Sequence, residues 1–523
     1  MMKKILFVVL ILALTTVTAQ AQFNLDSLFR VSVGGEAGYQ RLKNLSSYHA
    51  EGEVNLNGMV GQFSQFFVPP TNFYMEINFG GFRLVQAYDG ETAWQMDQNG
   101  HVSELHGYER ISLLSNIYFE SFSYLFPSRV EGTFAYRGHT YKNTIPCHEV
   151  VFYPLNEDTV TVYYYMPTGL SMFMSGKLDN ISMLTRVDDF RDVDGVKLPF
   201  HSRAEAEGVN LFTEMKVASV RFDEPFNPDI FKMPTTGAAD FRFPDGDSLV
   251  TIPFDYRQGH IYIKAQINGA ISSWFILDSG ASGNIFDRNA VAELNLPVTG
   301  QLPAKGIGGY DQVDLVKTDS VSIGSLTLYN QVAGTTDLTG IGKVGTDGLP
   351  FGGVLGYDFL SRFPLMIDYQ QGIITVFNPD EFTPPAGGAT VEFHLTTQVP
   401  TIKAELNSLP GDFIIDLGNP FGLILHDNFV RENDLLVRLD DIQEITGNYG
   451  GVGGAVAGKT AYAAVFKIGD ILIRSLRVIL PEGSSGLSGS EEIDGNIGNL
   501  VLENFKVLFD YARNRIILYE SAL

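Results

Sequence analysis

Two aspartates in matching surroundings are the residues of this 523-residue chain best placed to do chemistry. Trp274 to Phe286 reads WFILDSGASGNIF: an apolar run, then Asp278, Ser279 and Gly280, then apolar residues again. That order reads as a strand that delivers one carboxylate to a tight turn and leaves. Gly280 permits backbone angles that a side chain would forbid, and Ser279 can hydrogen-bond across the turn, so the carboxylate is held. At Phe413 to Leu425, FIIDLGNPFGLIL, the arrangement returns with Asp416 and Gly418. A fixed carboxylate can take or give a proton. Either one alone is equally an ordinary β-turn.

The surrounding sequence repeats in step with this pair. Asp278 and Asp416 are 138 residues apart; GIGG at Gly306 and GVGG at Gly451 are 145 apart, as are Gly324 and Gly469; Gly356 and Gly498, and also Asp368 and Asp510, are 142 apart. Five anchors in one order make residues 250–523 two copies of one β-rich lobe, the first over 250–385 and the second over 386–523.

A duplicated lobe with one turn-borne Asp per copy resembles the retropepsin and pepsin group of aspartic proteases, in particular the bacterial periplasmic aspartyl-protease-like proteins. The residues that carry the resemblance are Asp278-Ser279-Gly280-Ala281, Asp416-x-Gly418, and the two strand motifs ending at Gly356 and Gly498. It implies that each such strand threads beside the Asp turn of its own lobe, and that the two turns meet across a pseudo-twofold axis. By that implication Asp278 and Asp416 form a catalytic pair, supported by Ser279, Gly280, Gly418 and Asn419. Like charges a few ångströms apart cannot both ionise, so such a pair shares one proton. The ionised member takes a proton from water while the protonated one donates to a carbonyl, which hydrolyses a peptide without metal or cofactor. The resemblance also implies a flap hairpin, with Gly308, Gly309 and Tyr310 of GIGGYDQ at its tip.

One departure stands out. The second copy has Leu417 where a Thr or Ser is expected, followed after Gly418 by Asn419-Pro420. Ser279 must then act with another partner, either the Asn419 amide or backbone. Two readings follow: an active endopeptidase, or a catalytically degenerate binding protein.

The elements that would position these residues lie in a mainly β chain. Lys3 and Lys4, an apolar run from Ile5 to Leu14 and Ala19-Gln20-Ala21 make residues 1–21 a cleaved secretory signal, too short to span a membrane comfortably and without a Cys for a lipid anchor. The expected location is the periplasm or exterior of a Gram-negative bacterium, with no transmembrane anchor left after cleavage. Residues 22–235 alternate apolar and polar positions, as at Phe73, Met75, Ile77 and Phe79, between turns at Asp89-Gly90, Asn99-Gly100 and Asp194-Gly195. They predict a large curved antiparallel sheet with little helix beyond a start near Asp26 to Leu42. The pieces VPPTNFYMEINF, VQAYDGETAWQM and FRDVDGVKLPFHSRAE resemble periplasmic lipoprotein carriers, which implies a half-barrel around an apolar groove. Met and aromatic residues around Leu170 to Met174 are then either the lining of a lipophilic cavity or ordinary core. Residues 236–249, rich in Gly, Pro and Asp, read as an exposed linker.

Composition narrows the partners. A net charge of −24 argues against nucleic acid. The single Cys147 excludes a disulfide framework and a multi-thiolate metal site. Gly453 to Thr460, GGAVAGKT, fits a phosphate-binding loop, yet it lacks a preceding buried strand and aligns with a strand of the first copy, so no nucleotide is expected. The partner that remains is a polypeptide substrate.

Overall fold

The computed structural model describes residues 23–178, 181–234, 240–306, 309–339, 341–342, 347–445, 449–451, 454–482 and 493–520. The signal segment, Gly308 and Gly453 lie outside them. No described helix is long and apolar enough to cross a membrane.

Residues 48–222 build a 13-stranded antiparallel sheet. Its first strand, Tyr48–Leu56, pairs with its last, Phe212–Phe222, so the chain runs outward on one side and returns inward on the other. Period-two burial drives each strand onto one face: in Met59–Val68 the residues Met59, Gly61, Phe63, Gln65 and Phe67 are buried. The two edge strands, Val102–Glu104 and Gly132–Lys142, are joined by a helix over Gly107–Glu120. That helix lays Leu113, Leu114, Ile117 and Tyr118 into one core with Phe29, Val150, Phe152 and Tyr164. Each such large apolar side chain contributes about 1.5–3 kcal/mol on burial. The sequence predicted little helix here, and this element escaped because it starts at a glycine after His106, with no side-chain cap to announce it. The start expected near Asp26 is a pair of helices, Leu25–Ser32 and Gly35–Lys43. Met174 packs against the helix-filled core.

The second half has the predicted two-lobed architecture. In the first lobe Ile271–Leu277 runs parallel to Phe351–Leu355; in the second Leu409–Ile415 runs parallel to Gly495–Ile497. A six-stranded sheet joins the lobes, three strands from each, with Leu365–Asp368 and Phe505–Asp510 antiparallel at its centre. The apolar core is continuous through both copies, from Phe275 and Phe286 to Phe413 and Phe466. Short helical turns follow each Asp turn: Arg288–Val291 with Ala292–Leu294, and Asp427–Glu432 with Leu435–Arg438.

The connector is anchored at Asp240 and Phe241, whereas 245–249 are exposed. Phe241–Arg242 pairs with Leu328 and Thr327 at the edge of the first lobe's sheet, and the Asp240 carboxylate receives both Nε and Nη2 of Arg362. A buried guanidinium needs such a partner, and this need ties the connector down. The N-terminal domain also touches both lobes directly, the first through its sheet and the second through the helix. Met59 seats against Gly300, Lys317 donates to the Gly81 carbonyl, and Glu109 accepts from the Gln398 amide.

Candidate active site

Each aspartate sits where its strand ends. The Asp278 amide donates to the Leu355 carbonyl at 3.0 Å, and the Asp416 amide to the Ile497 carbonyl at 2.9 Å. The strands that end at Gly356 and Gly498 therefore hold the two turns in equivalent ways. Within the turns, the Gly280 amide donates to Asp278 Oδ1 at 2.8 Å, and the Gly418 and Asn419 amides donate to Asp416 Oδ1 at 2.7 and 3.1 Å.

The structure brings the two turns face to face. A Cβ at Gly280 would stand 2.5 Å from Asp416 Cγ, and one at Gly418 would stand 2.4 Å from Asp278 Cγ. Each glycine makes room for the other lobe's carboxyl, a stricter reason for its presence than local backbone freedom. The two carboxyls are therefore close enough for each to act on the other's proton. Desolvation first, and then the charge of Asp416, hold the Asp278 carboxyl well above the usual carboxylate range. Such a pair retains a proton where an isolated aspartate would not, which is the state that acid–base chemistry on a water molecule requires.

Ser279 takes the backbone alternative. Its hydroxyl donates to the Ile415 carbonyl at 2.7 Å and accepts from the Leu417 amide at 3.0 Å, bridging the lobes with both of its functions. Asn419 faces elsewhere: its Nδ2 donates to Asn496 Oδ1 at 2.8 Å, and its Oδ1 accepts from the Phe421 amide. Leu417 is fully buried in the continuous core, and its carbonyl accepts from Asn499 Nδ2 at 2.6 Å. That same nitrogen reaches the Gly259 carbonyl at 2.7 Å, which pins a first-lobe hairpin onto the second Asp turn.

Two residues beside the pair escaped the sequence reading. Asn496 donates to Asp416 Oδ2 at 2.5 Å and is 2% exposed. The signal was present, because the first copy has Val354 at the position 142 residues earlier, and a polar residue within a repeated apolar motif needs a partner. His260, next to Gly259, lies near Asp416; burial pulls its imidazole pKa down, and the Asp416 carboxylate opposes that pull. No motif flags it.

The expected flap segment is a β-hairpin, Val298–Gly306 with Gly309–Lys317, in which Gly306 pairs with Gly309 and Lys305 with Tyr310. The phosphate-loop pattern ends inside a strand, Gly458–Ile468, so Lys459 and Thr460 do not precede a helix.

The aspartyl protease family model matches residues 263–359, the part of the first lobe that runs from before Asp278 to beyond Gly356. Among solved structures, the chain is similar to an aspartic proteinase from Irpex lacteus, with 12% identity over 52% of this chain and 98% of that one, TM-score 0.35. It is also similar to a DUF1329 family protein from Desulfovibrio piger, with 14% identity over 39% of this chain and 95% of that one, TM-score 0.29. No curated protein matches.

Proposed function

We propose that the chain is an exported aspartic endopeptidase in which Asp278 and Asp416 activate one water between them. The observation that carries this reading is the interlock in which the glycine of each turn faces the carboxyl of the other. It forces the two acids together, and proximity is what turns two aspartates into a coupled acid and base. The raised proton affinity of Asp278 fits the protonated partner, which would donate to the substrate carbonyl while Asp416, held by two backbone amides and Asn496, would take the proton from water. The hairpin of Val298–Gly306 and Gly309–Lys317 would cover an extended peptide, whose main chain suits recognition by β-strands. The expected boundaries, 1–21, 22–235, 236–249, 250–385 and 386–523, stand with this proposal, as does location in the envelope or beyond it.

The degenerate-binding alternative draws on Leu417, which puts a core side chain where a second bridging hydroxyl would stand. Under that reading a peptide or a lipophilic molecule is held rather than cut, the latter competing with the helix in the concave face of the sheet.

The deciding experiment is cleavage of a mixed peptide library by the mature protein between acidic and neutral pH, alongside D278N and D416N. Each substitution should lower the rate by about 10³-fold or more, since each removes one half of the acid–base pair. Undiminished cleavage by either folded variant would remove the proposal, and a parent that cleaves nothing would favour the binding protein.

A further inference from the structure

The turn Asp97–His101, at the edge of the N-terminal sheet, is built into the first lobe. Asp97 Oδ1 braces it from within by accepting the Asn99 and His101 amides at 2.8 and 3.0 Å. Asn99, 9% exposed, then reaches across: its Oδ1 accepts the Val332 amide at 2.7 Å, and its Nδ2 donates to the Val332 carbonyl at 3.3 Å and to Asp358 Oδ1 at 2.9 Å. Gln98 Nε2 adds a longer contact of 3.4 Å to the same oxygen.

Asp358 carries this contact toward Asp278. Its Oδ2 accepts the Asn284 amide at 2.7 Å; Asn284 Oδ1 accepts the Gly356 amide at 3.0 Å; and the residue before Gly356, Leu355, accepts the Asp278 amide. Gly356 lies against the carbonyls of Ala281 and Gly283, so close that a Cβ there would stand 2.6 and 2.4 Å from them. A shift of Asp358 therefore has no slack to absorb it before the Asp278 turn.

A purely adhesive joint between two domains needs only apolar surface. This one buries ions instead: the Arg362 side chain, 1% exposed, lies 2.8 Å from Asp240 and 3.6 Å from Asp97. Buried charges are tolerated only when each keeps its partners, so the joint forms as a set or not at all.

We propose that the N-terminal sheet is a working part of the Asp278 centre, with Asn99 a positioning residue that fixes the Asp278 turn through Asp358 and Asn284. The inference rests on the endopeptidase reading for its effect on rate, but not for its effect on structure. It makes the first domain an integral support whose loss disables the site, rather than a detachable cover.

The test uses the full mature chain with N99D, D358N and the N99D/D358N pair. N99D sets a carboxylate against a carboxylate; the pair restores an amide–carboxylate contact with donor and acceptor exchanged. Two readouts are taken: kcat and KM for a cleaved peptide, and amide hydrogen exchange at 281–285 and 355–360 against the second-lobe counterparts 419–423 and 497–502. N99D should lower kcat about tenfold to a hundredfold with KM nearly unchanged, as expected of a small misplacement of reacting groups. Exchange should quicken in the first-lobe segments only, and the pair should return both readouts toward the parent. Unchanged exchange in N99D, quickening throughout the molecule, or no recovery in the pair would each overturn the proposal. If the parent cleaves nothing, exchange alone still decides the positioning role, so failure of the activity reading is told apart from failure of this one.

Discussion

At Asp278 the following residue is Ser279, whose hydroxyl crosses to the other lobe and satisfies two backbone groups there; at Asp416 the following residue is Leu417, whose side chain turns into the core. Support for Asp416 comes instead from its own lobe, through Asn496 on its Oδ2 and Asn419 behind Asn496. The first turn is thus held across the interface and the second from beneath. The comparison teaches that the two carboxyl positions are set by the backbone, which is the same in both copies, while the side chains that secure it are free to differ.

Substitutions that exchange features between the copies test this difference. The largest expected effect is N496V, which installs the first lobe's residue and strips Asp416 of its side-chain donor. Without that hydrogen bond the Asp416 carboxyl loses one of the contacts that fix its position, and kcat should fall by about 10–100-fold. An unchanged kcat would mean that Asn496 is only filling space.

S279A comes next. It leaves the buried Ile415 carbonyl and Leu417 amide without their shared partner, and the expected loss is about 1–3 kcal/mol, read as a lower denaturant midpoint with unchanged slope. A neutral result would locate the clasp elsewhere.

The third prediction concerns pH. Because the folded Asp278 carboxyl has a raised pKa, its contribution to stability is fully present below the unfolded value of about 3.9 and is lost as the pH rises through the folded value. The parent's Tm should therefore decline with rising pH in that window relative to D278N, which cannot ionise there. Parallel curves would argue against a shared proton.

The smallest change in rate is expected for L417T. If the second turn is secured from beneath, restoring a hydroxyl should alter kcat by less than about threefold, while loss of buried apolar volume costs about 1–3 kcal/mol. A large gain in rate would instead mark Leu417 as decay.

The duplication, the Asp turns and the threading strands were legible because glycines and carboxylates recur at near-constant offsets, and each is required by backbone geometry that both copies share. The fate of Ser279 was legible only as a choice, since nothing in the sequence distinguishes a backbone acceptor from the Asn419 amide. The helix Gly107–Glu120 lacks a capping side chain, and the docking of Asp97–His101 and Asp240 onto Arg362 joins residues more than a hundred positions apart, a pairing that no local pattern encodes. Asn496 was readable in principle, as the polar exception in a repeated apolar motif.

The reciprocal seating of each glycine against the opposite carboxyl has a consequence for inheritance. Neither copy holds the complete carboxyl pair, since half of the space around each acid is shaped by the other half of the chain. A recombination that replaced one lobe would pass on its fold yet bring a new turn to a carboxyl it had never been fitted against. The two copies can diverge freely in sequence, as Ser279 and Leu417 have, but their turn tips must descend together.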